Sequence, residues 1–193
     1  MGSVFDLSFL DRRPLLVAIA GPNGAGKSTF YHAFLKSSGL RFVNADVIAK
    51  ELDLDAYKAA EAVSEIRKAL VEMRESFIFE TVFSDPVGDK VQFLKAAATA
   101  GYTVVLCFIG LDCPETADIR VSMRISQGGH DVPCQKLRER FPRTMTNLRA
   151  AISELPTVLI YDNSDLGDPF RRVAVYRDGK LAWAKKPQPK WLP

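Results

Sequence analysis

Short runs of apolar residues alternate along this chain with longer segments in which apolar positions recur at helical spacing. Residues Leu15–Ala20 and 102–109 are apolar at nearly every position, which is typical of parallel strands covered on both faces. In residues 56–74 the apolar positions recur every three or four residues, as in a helix that packs one face on a sheet. The alternation predicts an α/β fold with a mainly parallel sheet.

The same pattern locates the individual elements. Strands are predicted at residues 15–20, 41–44, 77–79, 102–109 and 157–161, and helices at 28–36, 56–74, 87–100, 114–127 and 134–153. Two short strands at 172–176 and 181–184, with Asp178-Gly179 between them, predict a β-hairpin within about 171–184. We expect one domain over residues 1–193, with a five-stranded core sheet ordered 2-3-1-4-5 and a tail, Lys185–Pro193, extended along the surface.

Composition narrows the class of protein. The chain has 193 residues, 47% of them apolar and 25% charged, which is ordinary for a globular protein. The net charge of +3 is small, and no segment concentrates Lys or Arg beside aromatic side chains on a strand, so we expect no nucleic-acid partner. The apolar runs are too short to cross a bilayer and no signal peptide is recognisable, which predicts a cytoplasmic protein with reduced cysteines and no membrane partner.

A phosphate-binding loop follows the first strand. Residues Gly21–Ser28 read GPNGAGKS, which fits GxxxxGK[ST], and they lie between a buried strand and a predicted helix. In that setting backbone N–H groups and the positive end of a helix dipole point at one place, where phosphate binds. We predict ATP and Mg²⁺ as cofactors, with Lys27 on the β- and γ-phosphates and Ser28 on the metal. The nucleotide-binding residues are predicted to be Gly21, Pro22, Asn23, Gly24, Ala25, Gly26, Lys27, Ser28 and Thr29.

Polar residues follow the predicted strands on the same edge as this loop. Asp46 has two interpretations, a base that accepts the proton of an acceptor hydroxyl or an N-cap of the next helix. Glu80 and Thr81 are expected to contact the substrate, and Glu80 could also orient a metal-bound water; the alternative for Glu80 is an acid in a surface loop. Asp112 fits a helix start as well as it fits a metal-binding aspartate.

The segment 120–143 is rich in arginine and is interrupted by Gly128-Gly129. It predicts a helical lid that closes over the triphosphate and brings guanidinium groups to the γ-phosphoryl. The alternative is an amphipathic surface helix with solvated arginines. His130 is expected to hydrogen-bond the substrate or to cap a turn. The arginines in question are Arg120, Arg124, Arg138, Arg140 and Arg143.

These motifs together resemble the zeta-toxin-like P-loop kinases, small bacterial proteins often labelled as ABC-type ATPases. The resemblance rests on Gly21–Thr29, 42–46, 79–81, 120–133 and 161–164. Residues 126–130 also resemble an ABC signature, but the helical, arginine-rich segment that follows does not fit an ABC domain.

The resemblance implies a P-loop NTPase fold with three αβα layers and an ATP- and Mg²⁺-dependent kinase. It implies Asp46 as the base, Lys27 and Arg124 on the transferred phosphoryl, and UDP-N-acetylglucosamine as the leading acceptor. Toxins of the family carry a second lid arginine in the stretch that here reads Gly129–Pro133, and this chain has no arginine there. Either Arg140 or Arg120 supplies the missing charge, or His130 changes the chemistry. The same kinship implies a separately encoded antitoxin, and analogy with small-molecule kinases places Asn163 beside adenine.

Two other functions are alternatives to a small-molecule kinase. An ATPase switch without an acceptor is disfavoured by the lid arginines and by the carboxylates after strands two and three. A polynucleotide kinase is disfavoured by the lack of a basic, aromatic groove.

Overall fold

The computed structural model describes residues 8–125 and 134–192, apart from the side chains of residues 56, 57, 124, 125 and 134. Within these residues the strands are β1 Leu15–Ala20, β2 Arg41–Val43, β3 Phe77–Thr81, β4 Thr103–Gly110, β5 Thr157–Asp162, β6 Arg171–Arg177 and β7 Lys180–Ala184. The helices are α1 Lys27–Phe30, α2 Ala45–Leu52, α3 Ala56–Glu72, α4 Asp89–Thr99, α5 Pro114–Ile125 and α6 Cys134–Glu154.

The described strands form one sheet in the order β2-β3-β1-β4-β5-β6-β7. The first five strands are parallel, and the predicted core order 2-3-1-4-5 is confirmed. The predicted hairpin continues this sheet, because β6 pairs antiparallel with β5 and β7 with β6. Its turn residues Asp178 and Gly179 have φ of 49° and 76°, the positive values that an Asp-Gly hairpin turn needs.

Helices cover both faces of the sheet, as the predicted layers require. β1 is buried along its whole length, and its side chains alternate between two apolar clusters. Leu16 and Ala18 join the cluster that includes α3, α4 and α6, whereas Val17 and Ile19 join the cluster that includes Phe30 on the P-loop side. The carboxyl ends of β1 to β5 therefore open on one edge between the two helical layers.

The helical segment after the P-loop and the helix α2 differ in detail from the prediction. α1 is four residues long and continues as a π-helical turn over Tyr31–Leu35 and a 3₁₀ turn over Lys36–Ser38. α2 was not predicted; it is only eight residues long, and none of its side chains is fully buried. Asn44 caps this helix by accepting hydrogen bonds from the backbone N–H groups of Asp46 and Val47.

The expectation of a tail along the surface is wrong for its last residues. Trp191 packs its ring over Gly110 so closely that a Cβ there would overlap it, and its Nε1 donates a hydrogen bond to Asp162 at 3.2 Å. Trp191 and Leu192 are half-buried against the core. A large aromatic side chain with one polar handle thus outweighs the prolines and lysines that made the segment read as solvated.

No helix in the described part of the chain is both long and apolar enough to cross a membrane.

Candidate active site

The P-loop has the backbone shape that its sequence predicts. Gly24 and Gly26 have φ of 72° and 85°, a left-handed conformation that favours glycine, and Gly26 immediately precedes α1. The Lys27 side chain is only 6% exposed, and its ammonium donates a hydrogen bond to the carbonyl of Pro22 at 2.9 Å. The lysine is thus held against the loop that would surround a phosphate.

Asn163 supports the P-loop from the end of β5. Its Nδ2 donates to the carbonyl of Ala25 at 2.9 Å, and its Oδ1 accepts from the backbone N–H of Phe170 at 3.2 Å. A Cβ at Gly26 would lie 2.8 Å from Asn163 Nδ2. The buried amide of Asn163 therefore holds the P-loop in place. The contact of Asn163 with adenine stays a prediction.

Arg120 lies on the other side of the P-loop, on α5. Its Nη2 donates to the carbonyl of Ser164 at 3.0 Å, and a Cβ at Gly24 would lie 3.3 Å from the Arg120 Cβ. α5 therefore packs directly against the tip of the P-loop.

Asp162 organises the loop that carries Asn163 and Ser164. It accepts hydrogen bonds from the N–H and hydroxyl of Ser164, from Arg171 at 2.9 Å and from Trp191. Burial by itself would raise the pKa of Asp162, but these hydrogen bonds outweigh burial and lower the pKa below its ordinary value. The carboxylate is thus ionised at neutral pH and holds the loop in place.

Glu80 connects the P-loop with the end of β2. Its Oε2 accepts one hydrogen bond from the Ser28 hydroxyl at 2.8 Å and another from Asn44 Nδ2 at 2.8 Å. The interpretation of Glu80 as an acid in a surface loop is therefore wrong. The predicted metal residue and the predicted substrate residue are in direct contact.

Asp46 is not the N-cap of the following helix. Asn44 has that role, and Asp46 occupies the second helical position, where its backbone N–H donates to Asn44 Oδ1 at 2.7 Å. The Asp46 side chain lines a cavity instead. The capping interpretation of Asp46 is therefore wrong, and its role as a base stays a prediction.

This cavity has a volume of about 490 Å³ and lies at the carboxyl ends of β2 and β3. It brings together four residues that were predicted as catalytic or substrate-binding: Asp46, Glu80, Thr81 and Arg140. Arg120 is not in its lining. The cavity is also lined by polar residues that were not predicted from the sequence: Ser64, Arg67, Ser84, Asp85 and Lys90.

These additional residues come from α3, from the loop after β3 and, for Lys90, from the first turn of α4. One sequence signal was available, because the buried positions of α3 are Ala59, Val63 and Leu70, and Arg67 falls on the same stripe. A cation at a core-facing position is unusual and points to a special role. For Asp85 no such signal exists, since it lies outside the predicted elements, and Lys90 lies in the predicted helix 87–100 at a position where a lysine is ordinary.

The loop of residues 82–85 is held in place by α6. Thr144 donates its hydroxyl to the carbonyl of Val82 at 3.0 Å. Asn147, 6% exposed, donates through Nδ2 to the carbonyls of Phe83 at 3.0 Å and Asp85 at 2.9 Å. These contacts fix the backbone of the loop that carries Asp85. The Asp85 carboxylate forms an ion pair with Lys90, with 3.5 Å between Lys90 Nζ and Asp85 Oδ1.

The predicted lid is described only in part. Gly128, Gly129 and His130 lie outside the described residues, and so does the side chain of Arg124. Arg138 on α6 faces Asp118 on α5, with 3.7 Å between Nε and Oδ2. This ion pair, exposed on the Arg138 side, links α5 and α6, the two helices of the predicted lid.

The oxygen atoms of Ser28 and Glu80 fit a hard divalent cation. Magnesium prefers oxygen ligands and keeps several waters and substrate phosphates in its shell, so few protein ligands are needed. Residues 8–125 and 134–192 contain no cluster of three or more His, Cys, Asp or Glu that could hold a metal ion.

Comparison with known families identifies one match. The sequence model of the zeta toxin family matches residues 56–172, which contain Glu80, the arginines of the predicted lid and Asn163. No curated protein sequence matches the chain.

Solved structures share the fold at low identity. The AvrRxo1-ORF1:AvrRxo1-ORF2 complex with sulphate ions matches with a TM-score of 0.63 and 16% identity over 93% of this chain and 65% of that chain. The same complex with ATP matches with a TM-score of 0.61 and 16% identity, over 89% of this chain and 61% of that chain. The PezAT toxin–antitoxin system of Streptococcus pneumoniae matches with a TM-score of 0.59 and 16% identity, over 92% of this chain and 74% of that chain. A shikimate kinase from Bacteroides thetaiotaomicron matches with a TM-score of 0.52 and 16% identity, over 81% of this chain and 91% of that chain.

At such identities these matches show a common fold and no more. They agree with the predicted P-loop kinase architecture. The chain spans 65% of the length of the AvrRxo1 chain that it matches, a little under two thirds.

Proposed function

The chain belongs to the zeta toxin family, and from this premise we propose that it is a kinase that transfers the γ-phosphoryl group of ATP to a hydroxyl of a small molecule. The observation that carries the proposal is the position of Glu80. Its carboxylate lines the 490 Å³ cavity and at the same time accepts a hydrogen bond from Ser28 of the P-loop. A nucleotide on the loop and an acceptor in the cavity would therefore be neighbours, as phosphoryl transfer requires.

ATP is the proposed donor. The backbone N–H groups of Gly21–Thr29 would surround its phosphates, and Lys27, held at the loop, would contact the transferred group. The AvrRxo1 complex has been crystallised with ATP, which supports the same choice here. Bound Mg²⁺, with Ser28 as its ligand and Glu80 beside it, would neutralise charge on the phosphates.

Asp46 is the proposed base. The acceptor hydroxyl gives its proton to the Asp46 carboxylate, its oxygen forms a bond to the γ-phosphorus, and the bond to the β–γ bridging oxygen breaks to release ADP. Charge that develops on the transferred group would be stabilised by Lys27 and by the lid arginines Arg124 and Arg140. Arg140 lines the same cavity as Asp46, which favours it over Arg120 as the second lid cation.

UDP-N-acetylglucosamine is the leading acceptor, and membership of the zeta toxin family is what supports it. Glu80 and Thr81 would contact this substrate, and His130 is retained as a candidate contact. A separately encoded antitoxin is a proposed partner, because PezAT is a toxin–antitoxin system and AvrRxo1-ORF1 was crystallised with ORF2. We propose the cytoplasm as the place of action.

A direct test incubates the protein with Mg²⁺, ATP and a pool of nucleotide sugars and measures the products by mass spectrometry. We expect an acceptor that gains one phosphoryl group, and we expect Asp46→Asn to abolish the gain while ATP binding persists. Asp53→Asn is a matched control, since Asp53 is exposed at the other end of the same helix.

Three outcomes decide between the functions. A gain on UDP-N-acetylglucosamine that Asp46→Asn alone abolishes supports the kinase, its base and its acceptor. A gain on another sugar keeps the kinase and replaces the acceptor. ATP consumption without a modified acceptor, equal in wild type and Asp46→Asn, rejects the kinase in favour of an ATPase switch.

A further inference from the structure

One buried cation in the cavity has no part in the mechanism described above. Arg67 on α3 is only 8% exposed, and it lines the cavity that Asp46 and Glu80 also line. Its guanidinium carbon lies 4.9 Å from the ring centroid of Phe79 and 5.4 Å from that of Phe93. A charged group in this position needs a reason, because arginine is rarely buried unless it is paired.

The aromatic rings satisfy only part of the guanidinium. Stacking uses the faces of this planar group, whereas its N–H bonds lie in the plane and point outward from its edge. The Nε of Arg67 is buried and has no hydrogen-bond acceptor among the described residues. The side chain is therefore held rigidly while hydrogen-bonding capacity remains unused.

No carboxylate among the described residues accepts a hydrogen bond from Arg67 Nε. Asp85 attracts Arg67 electrostatically and forms an ion pair with Lys90 at 3.5 Å, but neither of its buried carboxylate oxygens has a hydrogen-bond partner among the described residues. Glu80 is bonded to Ser28 and Asn44. Burial lowers the pKa of Arg67 and the charge of Asp85 partly offsets this, yet an arginine stays protonated. Arg67 thus contributes a fixed positive charge to a cavity lining that also includes carboxylates.

The position of Arg67 separates it from the reacting groups. Successive side chains of β3 point to opposite faces of the sheet, so Phe79, which stacks on Arg67, and Glu80, which contacts the P-loop, lie on opposite sides. A molecule whose hydroxyl reaches Asp46 and Glu80 would extend its far end toward Arg67.

We infer that Arg67 binds an anionic group of the acceptor, a phosphate or a carboxylate, at the end remote from the hydroxyl that is phosphorylated. The inference rests on the proposed function and makes it more specific. A planar guanidinium with free edge N–H groups binds such oxyanions in a bidentate manner. Arg67 is then a specificity-determining residue that discriminates against neutral sugars.

The test uses two simple anions, inorganic phosphate and malonate, on protein saturated with Mg²⁺ and the non-hydrolysable analogue AMP-PNP, which occupies the P-loop. The Nε–H resonance of Arg67 is followed by NMR and assigned by its disappearance in Arg67→Lys. We expect it to shift saturably with at least one of the two anions, and the anion that binds more tightly identifies a phosphate or a carboxylate acceptor.

Affinities are then compared among variants through the backbone resonances of Ser64 and Ser84. Arg67→Met keeps an apolar stem between the rings and should weaken anion binding at least about tenfold, whereas Arg67→Lys, with a point charge in place of a planar fork, should weaken it less. Lys68→Gln is the matched control, because it removes the same charge from the next, exposed residue of α3 and should change nothing.

The inference is overturned if the Arg67 resonance responds to neither anion, or if Arg67→Met binds as tightly as wild type. The wild-type titration decides even if Arg67→Met fails to fold. Binding of AMP-PNP is measured beforehand without anion. Its absence would reject the kinase itself, whereas nucleotide binding without an anion site would reject only the role of Arg67.

Discussion

The hydroxyl of Ser28 donates a hydrogen bond to the carboxylate of Glu80 at 2.8 Å, so the last residue of the P-loop motif and the end of β3 are in contact. Two oxygen-bearing side chains of the kind that Mg²⁺ prefers thus meet beside the proposed phosphate site. This contact joins the proposed nucleotide half of the site to the proposed acceptor half.

Glu80→Gln should weaken the dependence of nucleotide binding on Mg²⁺. In wild type we expect Mg²⁺ to tighten AMP-PNP binding, and we expect the neutral amide to reduce this gain about tenfold, because a charge of −1 beside the metal is lost. Titration calorimetry with and without Mg²⁺ measures the effect. Glu65→Gln, an exposed change on α3, should leave it unaltered; an equal gain in Glu80→Gln would remove Glu80 from the metal site.

Gly26→Ala should abolish nucleotide binding. The added Cβ would lie 2.8 Å from Asn163 Nδ2 and would occupy a backbone with φ of 85°, so the P-loop must shift. Gly39→Ala is matched in backbone strain, with φ of 68°, but its Cβ would meet nothing within 4 Å. It should cost about 1 kcal/mol of stability and leave AMP-PNP affinity unchanged. If both variants bind AMP-PNP normally, close packing against Asn163 does not matter.

Asn147→Ala should destabilise the protein and loosen the cavity. The change leaves the carbonyls of Phe83 and Asp85 without their donor, which costs about 1–3 kcal/mol in the free energy of unfolding measured with urea. We also expect a higher KM for the acceptor and an unchanged KM for ATP, since α6 holds residues 82–85 and not the P-loop. Thr146→Ala, exposed on the same helix, should change neither quantity, and a rise in both KM values would mean a general loss of structure.

Asp162 should make stability depend on acid pH. Its hydrogen bonds lower its pKa in the folded protein below the ordinary 3.8, so its ionised form stabilises the fold fully above about pH 4, and this contribution is lost as pH falls through the lowered pKa. Urea unfolding of wild type and Asp162→Asn should differ by a constant free energy between about pH 5 and pH 7, and the difference should shrink below about pH 4. Asp168→Asn, at an exposed position in the same loop, should follow the wild-type curve. A constant difference down to pH 2 would contradict the assignment.

Much of the fold follows from local patterns. The apolar strands, the helical spacing of α3 and the Asp-Gly turn were recognisable because each depends on residues close together in sequence. In contrast, α2 and the packing of Trp191 were not recognisable from the sequence. α2 buries no side chain and is defined mainly by its Asn44 cap, and Trp191 finds its site on Gly110 and Asp162, which lie far from it along the chain.

The sequence by itself determined the chemistry that a continuous motif carries: a phosphate loop at Gly21–Ser28, acids after the parallel strands, and a set of arginines before and after Gly128-Gly129. Only the tertiary structure decided which of these residues share one cavity. It placed Arg140 with Asp46, put Arg120 beside the P-loop, and revealed Arg67 as a buried cation in the lining of the cavity. The physical reason is that a P-loop forms from consecutive backbone groups, whereas a substrate cavity is enclosed by side chains from separate elements whose packing sets their distances.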